Sequence, residues 1–252
     1  MSGHSKWSTI KRKKAAEDAK RGKVFTRLAR EIVIAARAGG GDPDTNFRLR
    51  LAIDRAKAAN MPRRNIERAI ARATGQGDGA QSIEEILYEG YAPNGVALLI
   101  NVVTDNRNRS LSDIKRIFTH SGGSLAEPNA VAWQFEQKGY ITLPCQGCDY
   151  EEAFLVAAEA GAEDVTQGEE FIEIYTPREQ LAAVQKALID AGISVEEGRL
   201  DWIPKMEMDL APEKALKVMG VIEKLEELDD VEQVYSNLNI TDELMTSYES
   251  AA

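Results

Sequence analysis

The chain has 252 residues, 43% of them hydrophobic and 29% charged, with two cysteines and a formal net charge of −10. That length and apolar content describe a globular chain with room for two or three domains and exclude wholesale disorder. No run approaches the ~20 consecutive apolar residues of a membrane span, two cysteines make no disulfide framework, and the opening MSGHSKWSTIKRKK lacks the apolar stretch of a secretory signal, so a cytoplasmic protein is expected.

The net charge conceals a split. Residues 1–75 hold 19 Lys/Arg against 7 Asp/Glu, a net of +12, while residues 76–252 hold 12 against 34, a net of −22. A polyanion is drawn to the first segment and repelled by the second, the pattern of a nucleic-acid-binding module on an acidic body. The basic segment reads as helices. Between Lys23 and Arg37, Phe25, Leu28, Ile32 and Ala35 share one face, while Lys23, Arg27, Arg30 and Arg37 share another. Gly39-Gly40-Gly41-Asp42-Pro43 breaks that helix, a second runs from about Asn46 to Ala59, and Pro62 opens a third. In the third, Ile66, Ala69, Ile70 and Ala73 form the inward face, and Arg64, Arg68 and Arg72 recur every four residues as an exposed ridge.

After the linker Gly75–Gly79 the period changes to strands. Glu85–Tyr91 and Val96–Thr104 flank the turn Ala92-Pro93-Asn94-Gly95, a hairpin signal. A helix over 107–120 and an apolar run at Val131–Phe135 follow. From Tyr140 the order is strand (140–143), helix (149–160), strand (162–166), strand (171–175), helix (177–191), strand (193–196). This is the βαββαβ order of the ferredoxin-like unit. Its flanks supply a second copy: strand 96–104, helix 107–120 and strand 131–135, then strand 203–208, helix 212–228 and strand 231–235. The expected fold is α+β, an N-terminal helical bundle plus two ferredoxin-like α/β domains, one inserted in the other. The expected domains are a basic helical domain (1–78), a discontinuous ferredoxin-like domain (79–136 and 202–240), an inserted one (137–201) and a frayed acidic tail (241–252).

Little in the chain points to catalysis or to a cofactor. Cys145-Gln-Gly-Cys148 is a CxxC before a helix, but structural zinc takes four ligands and the only histidines, His4 and His120, are not spaced to supply them. Gly75-x-Gly77-x-x-Ala80 precedes a strand rather than following one, the reverse of a dinucleotide site. Gly39–Gly41 lacks the Gly-Lys-Ser/Thr of a P-loop, and no GxSxG or HExxH occurs. Lys138-Gly-Tyr-Ile echoes an RNA-recognition signature on the wrong strand, and paired exposed aromatics are not evident. The loop Thr104-Asp-Asn-Arg-Asn-Arg-Ser110 is more informative. It lies between a strand and a helix, so Arg107, Arg109 and Asn106 either hold a phosphate or a base, or Asn106 or Asn108 simply caps the helix.

Gly3-His-Ser-Lys-Trp7 with Ile10-Lys-Arg-Lys-Lys14, Asn60-Met-Pro62 with Ile66-Glu-Arg-Ala69, and Tyr88-Glu-Gly-Tyr91 with Gly95-Val-Ala97 closely resemble the YebC family. So do the Thr104–Ser110 loop, Val131-Ala-Trp-Gln-Phe135 and Leu228-Asp-Asp-Val231. The resemblance covers nearly the whole chain and implies a three-domain cytoplasmic protein with one α/β domain inserted in another. Bacterial members are named probable transcriptional regulators that bind DNA. The mitochondrial relatives are translational activators of cytochrome oxidase subunit I, and some bacterial relatives act on ribosomes stalled at proline runs. The cysteine pair is not a feature of the family.

The expected function is therefore non-enzymatic: a nucleic-acid-binding regulator of gene expression, with DNA as partner. The alternative is ribosomal RNA and a ribosome-associated translation factor. The expected contacts are Lys6, Lys11, Arg12, Lys13, Lys14, Arg27, Arg30, Arg64, Arg68 and Arg72, with Asn106, Arg107 and Arg109 in the loop. Trp7 either stacks on a base or pins the basic arm to the bundle. The sequence does not read out an oligomeric state. Two ligands do not make a metal site, so Cys145→Ser with Cys148→Ser should leave fold and polyanion binding intact. Stoichiometric zinc in the purified protein, lost on that double change, would contradict this.

Overall fold

The computed structural model describes residues 21–74, 83–168 and 170–251. Among these, two compact units are distinguished: Phe135–Ile203, and the segments on either side of it. In the flanking unit, α1 (Arg21–Gly39) packs on α2 (Phe47–Ala58) and α3 (Arg63–Ala73). Their core gathers Ile32, Val33, Ala36, Leu49, Ala52, Met61, Ile66 and Ala69, with Phe25 and Leu28 at its margin. Asn46 sets the first corner. Its amide donates to the carbonyls of Ala35 (2.7 Å) and Gly40 (2.8 Å), and its oxygen accepts from Leu49 N (3.1 Å). One buried side chain thus closes the end of α1 and caps α2. Asn60, at φ 59°, ends α2 in the left-handed conformation that asparagine tolerates, and Pro62 starts α3.

The same unit continues with β1 (Glu84–Tyr91) and β2 (Ala97–Thr104), paired antiparallel from Glu84↔Thr104 to Tyr91↔Ala97. Asn94 and Gly95 close the turn with φ of 67° and 82°. Then come α4 (Arg107–Ser121), the two-residue β3 (Ser124–Leu125), α7 (Pro212–Glu226), β8 (Val231–Ser236) and α8 (Asp242–Ala251). The sheet order is β3-β1-β2-β8. Leu98, Ile100, Ile114, Phe118, Met219, Ile222 and Val234 form its core with α4 and α7. Gly90 admits the Phe118 ring and the Ser124 carbonyl, each within 2.8 Å of where a Cβ would lie.

Two expected strands differ here. Residues 132–134 form a 3-10 turn, and β3 takes the edge that Val131–Phe135 was expected to fill. Ile203–Met208 does not join this sheet as a strand; Met208 makes only an isolated bridge to Leu238. β1 occupies the place between β2 and β3 instead. A hairpin partner five residues away closes a far smaller loop than a segment returning from beyond residue 200.

The Phe135–Ile203 unit carries β4 (Phe135–Pro144), α5 (Tyr150–Glu159), β5 (Asp164–Gln167), β6 (Phe171–Pro177), α6 (Leu181–Asp190) and β7 (Glu197–Pro204). Its sheet order, β5-β6-β4-β7, is that of a split βαβ unit. The last strand starts at Glu197 because Ile193 N is bonded to Leu188 O at the end of α6. With two four-stranded sheets and their helices, the chain is α+β.

The acidic tail is also corrected. Residues expected to fray form α8, which buries Leu244 and Tyr248 against the α4/α7 core, and the Tyr248 hydroxyl donates to Glu223 (2.5 Å). Leu244→Ala should therefore cost about 2–4 kcal/mol of unfolding free energy, read by urea denaturation. A frayed tail would show no change.

Candidate nucleic-acid interface

Arg27 and Arg30 do not project into solvent. Arg27 donates to the carbonyls of Glu226 and Leu228, and Arg30 to the Asp229 carbonyl (2.9 Å) and Asp230 Oδ1 (2.9 Å). The carbonyls belong to the end of α7 and the residues after it, where cations satisfy otherwise unpaired acceptors and the helix dipole. These two arginines, expected to bind polyanion, thus bind the helical domain to the sheet domain. Charge and spacing gave them to the solvent face, but a carboxylate and three carbonyls compete for them.

Asp230 is the hub. Its Oδ2 accepts from Thr104 Oγ1 (3.0 Å), Ser110 Oγ (2.7 Å) and Arg109 Nε and Nη2 (3.2 and 2.7 Å), while Oδ1 takes Arg30. Burial works against its charge, but the hydrogen bonds from Arg109, Ser110 and Thr104 and the charge of Arg30 outweigh it, holding the carboxyl below the usual range. Arg109 also pairs with Asp105 (2.9 Å). The helical domain also makes the ion pairs Arg55–Glu31 and Arg48–Glu85 (2.5 Å). Burial pushes the Glu232 carboxyl up to about 7 despite Arg27, Arg55 and Arg30.

The Thr104–Ser110 loop resolves into two roles. Asn106 is the N-cap of α4, accepting from Arg109 N (3.1 Å), and Arg109 is held by acids. Arg107 and Asn108 remain exposed. Along α3, Arg64, Arg68 and Arg72 are all exposed and form no ion pair among the described residues, whereas Arg63 pairs with Glu67 (2.7 Å). Arg68 and Arg72 line a groove of about 390 Å³ together with Phe25, Ala29, Arg30 and Asp105. The groove therefore joins the α3 ridge to the start of the loop; Arg64 lies outside it. A second cavity, about 450 Å³, opens on the Asp230 side between Arg30, Arg109, Asp113 and Glu227. Lys6, Trp7, Lys11, Arg12, Lys13 and Lys14 lie outside the described residues.

The Phe135–Ile203 unit differs in kind. Cys145 and Cys148 are free thiols in a turn. Burial, with Cys145 and Asp149 nearby, pushes the Cys148 thiol up, away from the reactive thiolate. Asp149, not a thiol, caps α5. No cluster of His, Cys, Asp and Glu suited to a metal occurs among the described residues. The sheet of this unit does carry one aromatic pair, but it is not the exposed pair that an RNA-recognition surface needs. Tyr140 and Tyr175 are cross-strand partners with rings 5.4 Å apart, but both are buried, with hydroxyls on Glu173 and Arg199 over the Tyr140 ring. They are not an open stacking platform.

These features define a class: a basic helical domain docked through arginines on a sheet domain whose chain carries an inserted split βαβ unit. Residues 5–76 match the family model described as the TACO1/YebC protein N-terminal domain, and residues 83–238 match that of the TACO1/YebC second and third domain. The chain belongs to the TACO1/YebC family. A relative from Roseiflexus castenholzii is 53% identical over 99% of this chain and 100% of its own length, and one from Desulfitobacterium hafniense is 47% identical over 97% and 98%. Both are called probable transcriptional regulatory proteins. The crystal structure of a conserved hypothetical protein from Aquifex aeolicus is 46% identical and superposes with a TM-score of 0.83, covering 89% of this chain and 93% of that one. No helix among the described residues is long and apolar enough to cross a membrane.

Sequence reasoning missed Asp230 as a hub; an Asp-Asp pair after a helix carries no local signal of its distant partners. Asp230→Ala should destabilise the protein by about 2–4 kcal/mol near neutral pH, because two guanidiniums and two hydroxyls lose their acceptor. Since the folded carboxyl titrates below its unfolded value of about 3.9, its contribution is present above that pH and lost as pH falls through the folded value. Glu232 has the opposite sign: its penalty grows as pH rises from about 4.3 toward 7. Denaturant titrations of wild type, Asp230→Ala and Glu232→Gln across this range check both signs.

Proposed function

We propose that this protein is a non-enzymatic, cytoplasmic regulator of gene expression that binds nucleic acid, DNA in the first instance, through its helical domain. The observation that carries this reading is the α3 ridge. Arg64, Arg68 and Arg72 stand at one-turn intervals, exposed and without ion pairs among the described residues, in the segment that holds the net +12. Other arginines of the same domain, Arg27, Arg30, Arg48 and Arg55, are engaged by acids or carbonyls. Consecutive ridge guanidiniums project from backbone positions ~6 Å apart along the helix axis, a row suited to a phosphate backbone. The names of the bacterial relatives support a regulatory role.

In this reading the ridge supplies affinity and Arg107, exposed two residues beyond the Asp105 that lines the groove, supplies a contact that depends on geometry. The acidic remainder repels bulk phosphate and restricts the pose. Changing Arg64, Arg68 and Arg72 together to Gln keeps helix propensity, so a loss of binding reports charge. On duplex DNA the log–log salt slope should become shallower by about 2–3, near 0.9 for each phosphate contact removed. Arg107→Ala should alter that slope by no more than about 1 while impairing regulatory output in cells. An unchanged slope in the triple variant would contradict the ridge. Crosslinking that recovers ribosomal RNA and not DNA would move the activity to translation.

A further inference from the structure

The segment Val131-Ala-Trp-Gln-Phe135 alternates in sequence, so as a strand it would bury residues 131, 133 and 135 on one face. The structure does otherwise. Val131 and Phe135 are buried, but the 3-10 turn over 132–134 rotates Trp133 outward to 67% exposure. The indole is also held firmly. Its Nε1 donates to the Ala130 carbonyl (3.0 Å), which accepts a second bond from Tyr91 OH (3.2 Å). The loop beneath is clamped by Glu89, a carboxylate only 6% exposed, which accepts from the backbone N–H groups of Asn129, Val131 and Ala132 at 2.6, 2.6 and 2.8 Å. Lys205 closes the other side, its backbone N on the Gln134 carbonyl (2.8 Å) and its ammonium on the Trp133 carbonyl (2.9 Å).

Glu89 fixes the backbone that seats Val131 in the core and, two residues on, presents Trp133 to solvent, where the core gains nothing from the ring. We infer that Trp133 is a stacking platform for an unpaired nucleobase, with Lys205 contacting the adjoining phosphate. The chemistry favours this occupant. An exposed indole with an ammonium on the carbonyl of its own residue offers the two groups that single-strand binding uses, a ring for the base and a cation for the phosphate. The Lys205 ammonium has three donors and uses one on Trp133, leaving two for a phosphate. Fixing the ring in advance lowers the ordering cost of binding. A platform of this kind reads unpaired bases and ignores a closed duplex, so it adds a preference for single-stranded or looped-out nucleotides to the charge-driven affinity of α3.

This inference rests on the proposed nucleic-acid function, and the test separates the two. The full-length protein is titrated with short oligo(A), as DNA and as RNA, and with a fully paired duplex, at several salt concentrations. Trp133→Ala should weaken oligo(A) binding by about 5- to 100-fold without changing the salt slope, and leave duplex binding as in wild type. Trp133→Phe should restore most of the loss. Lys205→Gln should make the single-strand slope shallower by about 0.7. Circular dichroism of each variant confirms the fold, which an exposed side chain does not support. Oligo(A) affinity unchanged in Trp133→Ala, with duplex binding intact, would overturn the platform alone and leave the indole to a protein pocket. A wild-type chain that binds no oligonucleotide would overturn both readings.

Discussion

One carboxylate organises the flanking unit. Asp230 accepts five hydrogen bonds, from Arg30 on α1, Thr104 at the end of β2, and Arg109 and Ser110 at the start of α4. A buried acid with that many donors stays ionised, and each donor is in turn fixed in position. The helical domain therefore has a defined register on the sheet domain, set by directional bonds as well as by apolar contact. Without it, α1 would present its cations to solvent, and the groove between α3 and the Thr104–Ser110 loop would have no fixed width.

That constraint sorts the arginines. Those on α1 serve the interface: Arg27 and Arg30 reach the end of α7, where free carbonyls and the helix dipole attract them. Those on α3 form no ion pair among the described residues except that of Arg63 with Glu67. The same division runs through the loop, where Arg109 is held by Asp230 and Asp105 and Arg107 is left exposed. Cations bound by acids contribute little long-range field, so among the described residues Arg64, Arg68 and Arg72, which form no ion pair there, contribute more of it than Arg30, Arg48 or Arg55. The acids held in this way are also removed from the repulsion that the acidic remainder exerts on phosphate.

Rigid display of polar and aromatic groups recurs in the chain. Asn46 closes the end of α1 and the start of α2 with one side chain, and Glu89 fixes the Asn129–Ala132 backbone with three N–H bonds. In each case a buried polar residue satisfies backbone groups that no regular element could reach. The tyrosines of the other unit show the contrary outcome: Tyr140 and Tyr175 are paired and bonded to Glu173, so their faces are withdrawn from solvent. An aromatic residue's availability therefore depends on local backbone and polar partners, not on its presence in a strand.

The sequence by itself determined most elements, because their signals are local. Apolar periodicity placed α1 to α3 and the βαββαβ run, Pro62 marked a helix start, and the Asn94-Gly95 turn joined the hairpin strands. The one-turn spacing of Arg64, Arg68 and Arg72 was legible for the same reason: exposure on a helix follows from the face opposite its apolar residues. Tertiary structure alone decided what depends on partners distant in the chain. It withdrew Arg27 and Arg30 into Asp230 and the end of α7, some 200 residues away. It seated β1 where Ile203–Met208 was expected, packed α8 onto the core, and turned Trp133 out of an alternating pattern that would have buried it. Periodicity states which face of an element is apolar; it carries no information on which carboxylate or carbonyl will claim a cation on the other face.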